Sequence, residues 1–161
     1  MTRPATPTPV EFDPEYIALL TDMFERQITF NAVLGLKIIS IQPDAVEARI
    51  GMKPELVGHY QHGRVHGGVI SAALDAIAGI AVLAAVGARH MDEAPAKRLE
   101  RFAKLGTIDL RVDYLRPAVG ESFALKAEVM RLGSRVGSTR MEFRGADGKL
   151  MATGAGAYIM S

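Results

Sequence analysis

Residues 67–86 read "GGVISAALDAIAGIAVLAAV", a run with a single charged side chain, Asp75. This run constrains the fold more than any other part of the chain. Its composition predicts a helix that is apolar on nearly every face, and such a helix must be buried on more than one side. Val69 to Val86 is close to the shortest apolar run that could span a bilayer. Asp75 lies inside it, many of its residues are alanine, and strand-like patterns flank it. It is therefore predicted to be a core helix, with no membrane partner. One sheet can cover only part of such a helix, and a second copy of the chain is the expected cover for the rest.

The flanking segments supply that sheet. Asp13-Pro14 reads as an N-cap followed by proline at the first helical position. Leu19, Leu20, Met23, Phe24 and Ile28 recur at helical spacing and predict a helix over 14–30. Residues 36–42 are a short apolar run with β-branched content, and Pro43-Asp44 is a turn signal. Over 45–52, Val46, Ala48, Ile50 and Met52 alternate with Glu47, Arg49 and Gly51, so the two segments form a hairpin. A polar loop with three histidines fills 53–66, and a charged connector with a helical turn around 96–104 fills 88–105. Four strands follow, at 107–116, 122–132, 137–145 and 149–160. In the first, Ile108, Leu110, Val112 and Tyr114 alternate with Thr107, Asp109, Arg111 and Asp113. "GADG" at 145–148 is a tight hairpin signal.

The order α, β, β, long α and four strands predicts an α+β architecture, one antiparallel sheet wrapped around the long helix. Proline-rich residues 1–13 read as a flexible leader and 14–161 as one domain. At 48% hydrophobic and 23% charged the chain suits a globular core, and its net charge of +1 gives no drive toward nucleic acid. It has no cysteine, which excludes a disulfide scaffold and a thiol nucleophile and makes a reducing, cytoplasmic setting the expectation.

Gly67 and Gly68 are predicted to open the long helix behind His66. The first amides of a helix lack internal partners, and the dipole adds positive charge there. Glycine lets a ligand approach the backbone, so two such donors could polarise an acyl carbonyl. Asp75 follows eight residues after Gly67, about 12 Å along the helix axis, too far for both to act on one carbon. Two antiparallel helices from two chains would bring Asp75 of one beside the helix start of the other, giving a two-fold dimer with two shared sites. Ser71, one turn before Asp75, could hydrogen-bond the carboxylate or its water. The plain alternatives are a buried carboxylate held by an amide or arginine, glycines chosen for packing, and a His66 that merely caps the helix.

"HGG" with an acid nine residues after the histidine, in "HGGVISAALDAIAG", resembles the hotdog-fold acyl-CoA thioesterases of the phenylacetate-degradation type. "GTIDLRVDYLRPA" and "AEVMRLGSRVGSTRMEF" resemble the strands that follow the helix in that family. The leader helix and long connector are similar to a subgroup that favours medium or long acyl chains. The resemblance implies a hotdog fold, an acyl-CoA substrate, a homodimer often paired into a homotetramer, and no cofactor. It implies that the Gly67 amide polarises the thioester carbonyl, with His66 beside it. Asp75 of the partner chain would then act as general base on water or as nucleophile. Many members carry Asn six residues before the HGG histidine. Tyr60 stands there in this chain, with His62 two residues on, so Tyr60 or His62 is expected to take over some of the polar work.

Val69, Ile70 and the Leu56-Val57 loop are the candidate lining of the acyl pocket, and Gly68 and Ser71 are further candidate substrate-binding residues. Arg116, Arg131 and Arg135 are candidates for the phosphates of coenzyme A, against the plain reading of solvated arginine. His59, His62 and His66 could suggest a metal, but no further ligand pattern accompanies them, so no metal is expected. Two competing functions are a non-catalytic acyl-CoA sensor, for which a buried acid has no use, and a hotdog dehydratase or hydratase, which would place its acid differently.

Overall fold

The structure is a computed structural model that describes residues 11–160. Helix α1 (Pro14–Asp22) starts as its sequence predicts: Pro14 occupies the first turn, and the Asp13 carboxylate accepts the Tyr16 N–H at 2.8 Å. Phe12 is already buried. The packed chain thus begins inside the stretch read as a leader, whose residues 1–10 lie outside the described ones. The helix expected over 14–30 is not continuous. It widens into a π-turn at Met23–Gln27, breaks at extended Ile28 and resumes as α2 (Thr29–Leu34). Asn31 stabilises the break by donating its side-chain amide to the Phe24 carbonyl at 3.0 Å, satisfying an acceptor that the helix no longer uses.

Strands β1 (Lys37–Ile41) and β2 (Ala45–Gly51) form the expected antiparallel hairpin. The loop read over 53–66 contains a small hairpin of its own, β3 (Val57–His59) and β4 (Arg64–Val65), turned by Gly63 in the left-handed region. Helix α3 (Gly67–Ala88) follows, then α4 (Pro95–Glu100) and a 3-10 turn at Arg101–Lys104. Strands β5 (Gly106–Tyr114), β6 (Ser122–Leu132), β7 (Val136–Gly145) and β8 (Leu150–Ile159) complete the chain.

Six strands form one antiparallel sheet in the order β1-β2-β6-β7-β8-β5. Helix α3 lies across its inner face, the hotdog arrangement. Val46, Ala48, Ile50, Phe123, Leu125, Met141 and Phe143 meet Leu74, Ile77, Ala78 and Ala81 in the core. Although α3 is apolar and long enough to cross a membrane, most of it is buried here as the core helix.

Part of the cover expected from a second chain comes from within this one. Tyr16 of α1 lies over the C-terminal half of α3, where Gly87 makes room for its ring and Leu83 O accepts its hydroxyl at 3.4 Å. Burial pushes the Tyr16 hydroxyl up to about 12. Arg98 of α4 is fully buried, sits 4.1 Å over the Tyr16 ring and pairs with the Asp13 carboxylate. The leader and the connector are thereby joined over the helix.

The Arg98 hydrogen bond holds the Asp13 carboxyl below its ordinary range. A depressed folded-state pKa stabilises the docked leader above the unfolded value and loses that effect as pH falls through the folded one. Hydrogen exchange of residues 14–22, taken relative to the intrinsic rate at each pH, should therefore quicken selectively as pH drops below about 4, the ordinary aspartate value. In Asp13→Asn it should be fast already at neutral pH.

Candidate functional site

Two candidate regions lie along α3. At its start, His66 is the N-cap: its Nδ1 accepts the Gly68 N–H at 2.9 Å. The Gly68 amide, expected as a second free donor, is thus occupied by its own neighbour, and the His66 ring is held as a cap. The Gly67 N–H meets no acceptor among the described residues. Tyr114 closes the back of this turn, with its hydroxyl donating to the Gly67 carbonyl at 3.0 Å. A cleft of about 370 Å³ opens beside Gly67, and Ile70, Arg64 and Arg116 contribute to its lining. Arg64 Nε is buried without a hydrogen-bond partner among the described residues, and Arg116 donates to Leu150 O at 2.8 Å. The positive end of a helix and two guanidinium groups favour an anionic ligand in this cleft.

The β3–β4 hairpin is held beside the helix start by the His66 N–H to Leu56 O bond at 2.9 Å and is tied to the segment between β5 and β6 by Val65 N–H to Ala118 O at 2.9 Å. Gly58 permits the approach, since a Cβ there would fall 2.5 Å from the His66 Cα. Tyr60 stands at the hairpin tip, 86% exposed. His62 is exposed too and stacks on His59 with ring centroids 4.8 Å apart. Neither side chain has a hydrogen bond that ties it to Gly67.

The second candidate region surrounds Asp75, which is half-buried. Its Oδ1 accepts two hydroxyls, from Thr107 at 2.9 Å and Tyr158 at 3.0 Å. Thr107 and Tyr158 are direct cross-strand partners on β5 and β8. Oδ2 accepts no hydrogen bond from the described residues. Burial raises the Tyr158 hydroxyl far above its ordinary pKa and the Asp75 charge adds to this, so Tyr158 stays a donor. A mostly apolar cleft of about 290 Å³ opens at the carboxylate, between α3, the broken leader helix and the connector.

Several expectations change. The Ser71 hydroxyl turns back to Gly68 O at 3.1 Å rather than to Asp75. Val69 packs against the core and lines neither cleft; Leu56 is core as well. Arg116 borders the Gly67 cleft, but Arg131 and Arg135 belong to the β6–β7 turn, which the C-cap residue Arg89 of α3 contacts through Leu132 O and Gly133 O. The two ends of a helix this long cannot serve one diphosphate within one chain.

Thr107, Tyr158, Tyr114, Arg64 and Gly58 border the two candidate regions and were missed by sequence reasoning. A register shift between Thr107 and Asp109 breaks the simple alternation of β5. It turns Thr107 to the carboxylate and leaves Ile108 55% exposed. Tyr158 had a signal in its place on the last strand, but its partner lies 83 residues away in sequence.

Residues 62–152 match the family described as the thioesterase superfamily. The medium/long-chain acyl-CoA thioesterase YigI of Escherichia coli K12 is 31% identical over 144 residues, 89% of this chain and 93% of that protein. A crystal structure from Shewanella oneidensis, described as related to the thioesterase superfamily, is 37% identical. It covers 93% of this chain and 100% of that one with a TM-score of 0.84. The Escherichia coli PaaI protein from the phenylacetic acid degradation operon shares the fold at 17% identity, with a TM-score of 0.72 over 91% of this chain and 94% of that one.

Gly58→Ala should push the hairpin off the helix start. We expect a loss of about 1–3 kcal/mol in urea unfolding, the usual range for overpacking.

Proposed function

The chain belongs to the thioesterase superfamily, and from that membership we propose that it is an enzyme that hydrolyses acyl-CoA thioesters to free acid and coenzyme A. One observation carries the reading: a carboxylate fixed at Oδ1 by two neutral hydroxyls, with its other oxygen open to an apolar cleft. YigI, by its name, supports a medium- or long-chain acyl group.

In the mechanism we propose, Asp75 Oδ2 takes a proton from water as the water oxygen attacks the thioester carbonyl. The Gly67 N–H stabilises the oxyanion. The C–S bond breaks, the departing thiolate takes up the proton from Asp75, and a carboxylic acid is left. Thr107 and Tyr158 are positioning residues that keep Oδ1 occupied and Oδ2 directed at the water. Arg64 and Arg116, beside Gly67, attract the phosphates of coenzyme A.

Within one chain the two halves face separate clefts about 12 Å apart along α3. The site is therefore shared in a homodimer, Asp75 of one copy serving Gly67 of the other. Two features support such pairing: the outer edge of β5, unpaired among the described residues, with Ile108 exposed, and the partly open strip of α3 around Asp75.

Free-thiol release from a panel of acyl-CoAs tests the chemistry. Asp75→Asn should lose about a hundredfold or more in kcat, the scale of general-base catalysis, with acyl-CoA binding retained. No thiol release by the wild-type chain alongside tight acyl-CoA binding would favour a sensor instead. The shared site has a separate check. Asp75→Asn chains mixed with Gly67→Val chains, once subunits have exchanged, should regain activity through one intact site per mixed dimer. Two inactive parents that stay inactive on mixing would contradict it.

A further inference from the structure

The cleft beside Asp75 has a floor and a roof of different origin. Its floor is one face of α3, where Ala72, Asp75, Ala76 and Gly79 follow at three- and four-residue spacing. Its roof comes from Phe24, Ile28 and Phe30 of the broken leader helix and from Phe102 and Leu105 of the connector. Phe30 and Phe102 are 56% and 38% exposed, two large aromatic side chains left open to a ligand.

Gly79 has no packing reason to be glycine. A glycine inside a helix is destabilising relative to alanine. At Gly87 the cause is visible, because a Cβ there would fall 2.1 Å from the Tyr16 hydroxyl oxygen. At Gly79 a Cβ would meet Leu105 Cδ2 at 3.6 Å and Tyr158 Cε1 at 4.0 Å, ordinary contacts. Nor does its backbone require glycine, since its φ is not positive. A side chain there would remove only the space of the cleft, one turn beyond the Asp75 carboxylate.

Resting on the thioesterase reading above, we propose that the acyl chain runs in this cleft from Asp75 along α3, beneath the leader helix, and that Gly79 sets the chain length admitted. The occupant follows from the lining: an apolar channel contiguous with the carboxylate suits an alkyl tail. At roughly 30 Å³ per water-sized group, 290 Å³ takes on the order of ten methylenes. The preferred substrate is then a medium-chain acyl-CoA.

The test is kcat/KM across saturated acyl-CoAs from butyryl to palmitoyl. In the wild type it should rise about fourfold per methylene and level off near ten carbons. Gly79→Leu should shorten the optimum and lower the decanoyl-to-butyryl ratio about tenfold or more, because two or more methylenes lose their place. Phe102→Ala, at the mouth, should move the optimum to longer chains. If Gly79→Leu does not fold, Gly79→Ala reads the same ratio with a smaller shift. A uniform fall across all lengths, or an unchanged profile, would overturn the proposal. Calorimetric binding of a decyl thioether of coenzyme A separates the two readings. If the wild type releases no thiol, the thioesterase reading falls, yet loss of decyl selectivity over the methyl thioether in Gly79→Leu would still place the tail in this cleft. Retained selectivity would remove it.

Discussion

The burial of α3 is the constraint on which everything else depends. Its 22 residues carry one charge, so nearly every face must find apolar cover. Each buried Leu, Ile or Val contributes about 1.5–3 kcal/mol, and Leu74, Ile77, Val82 and Leu83 are all buried. The sheet takes one side. On the other, Tyr16 fills the groove over Gly87, and the Arg98–Asp13 pair ties the leader to the connector above it. What stays partly open is the strip through Gly68, Ala72, Asp75 and Ala76. The one acid of the helix lies in a strip that the fold does not fully close.

The two paired carboxylates of this region are held differently. Asp13 faces a buried guanidinium, which keeps its charge and fastens two segments together. Asp75 is held by neutral hydroxyls on one oxygen alone. A cation would offset the charge that a base needs, whereas two hydroxyls fix the geometry and leave a lone pair available. The same physics gives one aspartate a structural part and suits the other to chemistry.

The helix start answers Asp75 with the opposite polarity. His66 consumes one of the two glycine amides as a cap, and Gly67 keeps the other, beside Arg64 and Arg116. The helix rise separates this donor from the acid of the same chain, and the dimer proposed above would bring the two together.

Much of this was legible in local pattern. Period two marked β2 and β5, turn signals bounded β6, β7 and β8, the uniform apolar run marked α3, and the spacing from His66 to Asp75 carried the family resemblance, because these signals depend on neighbours within a few residues. The leader helix was legible up to Phe24, but its break at Ile28 depends on the Asn31 bond across the turn. The β3–β4 hairpin was hidden because it is short and is seated by backbone contacts to Leu56 and Ala118. The shift in β5 that turns Thr107 to Asp75 and exposes Ile108 comes from pairing with β8. Which residues would hold the acid, Thr107 and Tyr158, and which would roof its cleft, Phe24 and Phe102, was decided by sheet register and helix docking. Those are long-range contacts, and periodicity along the chain carries no record of them.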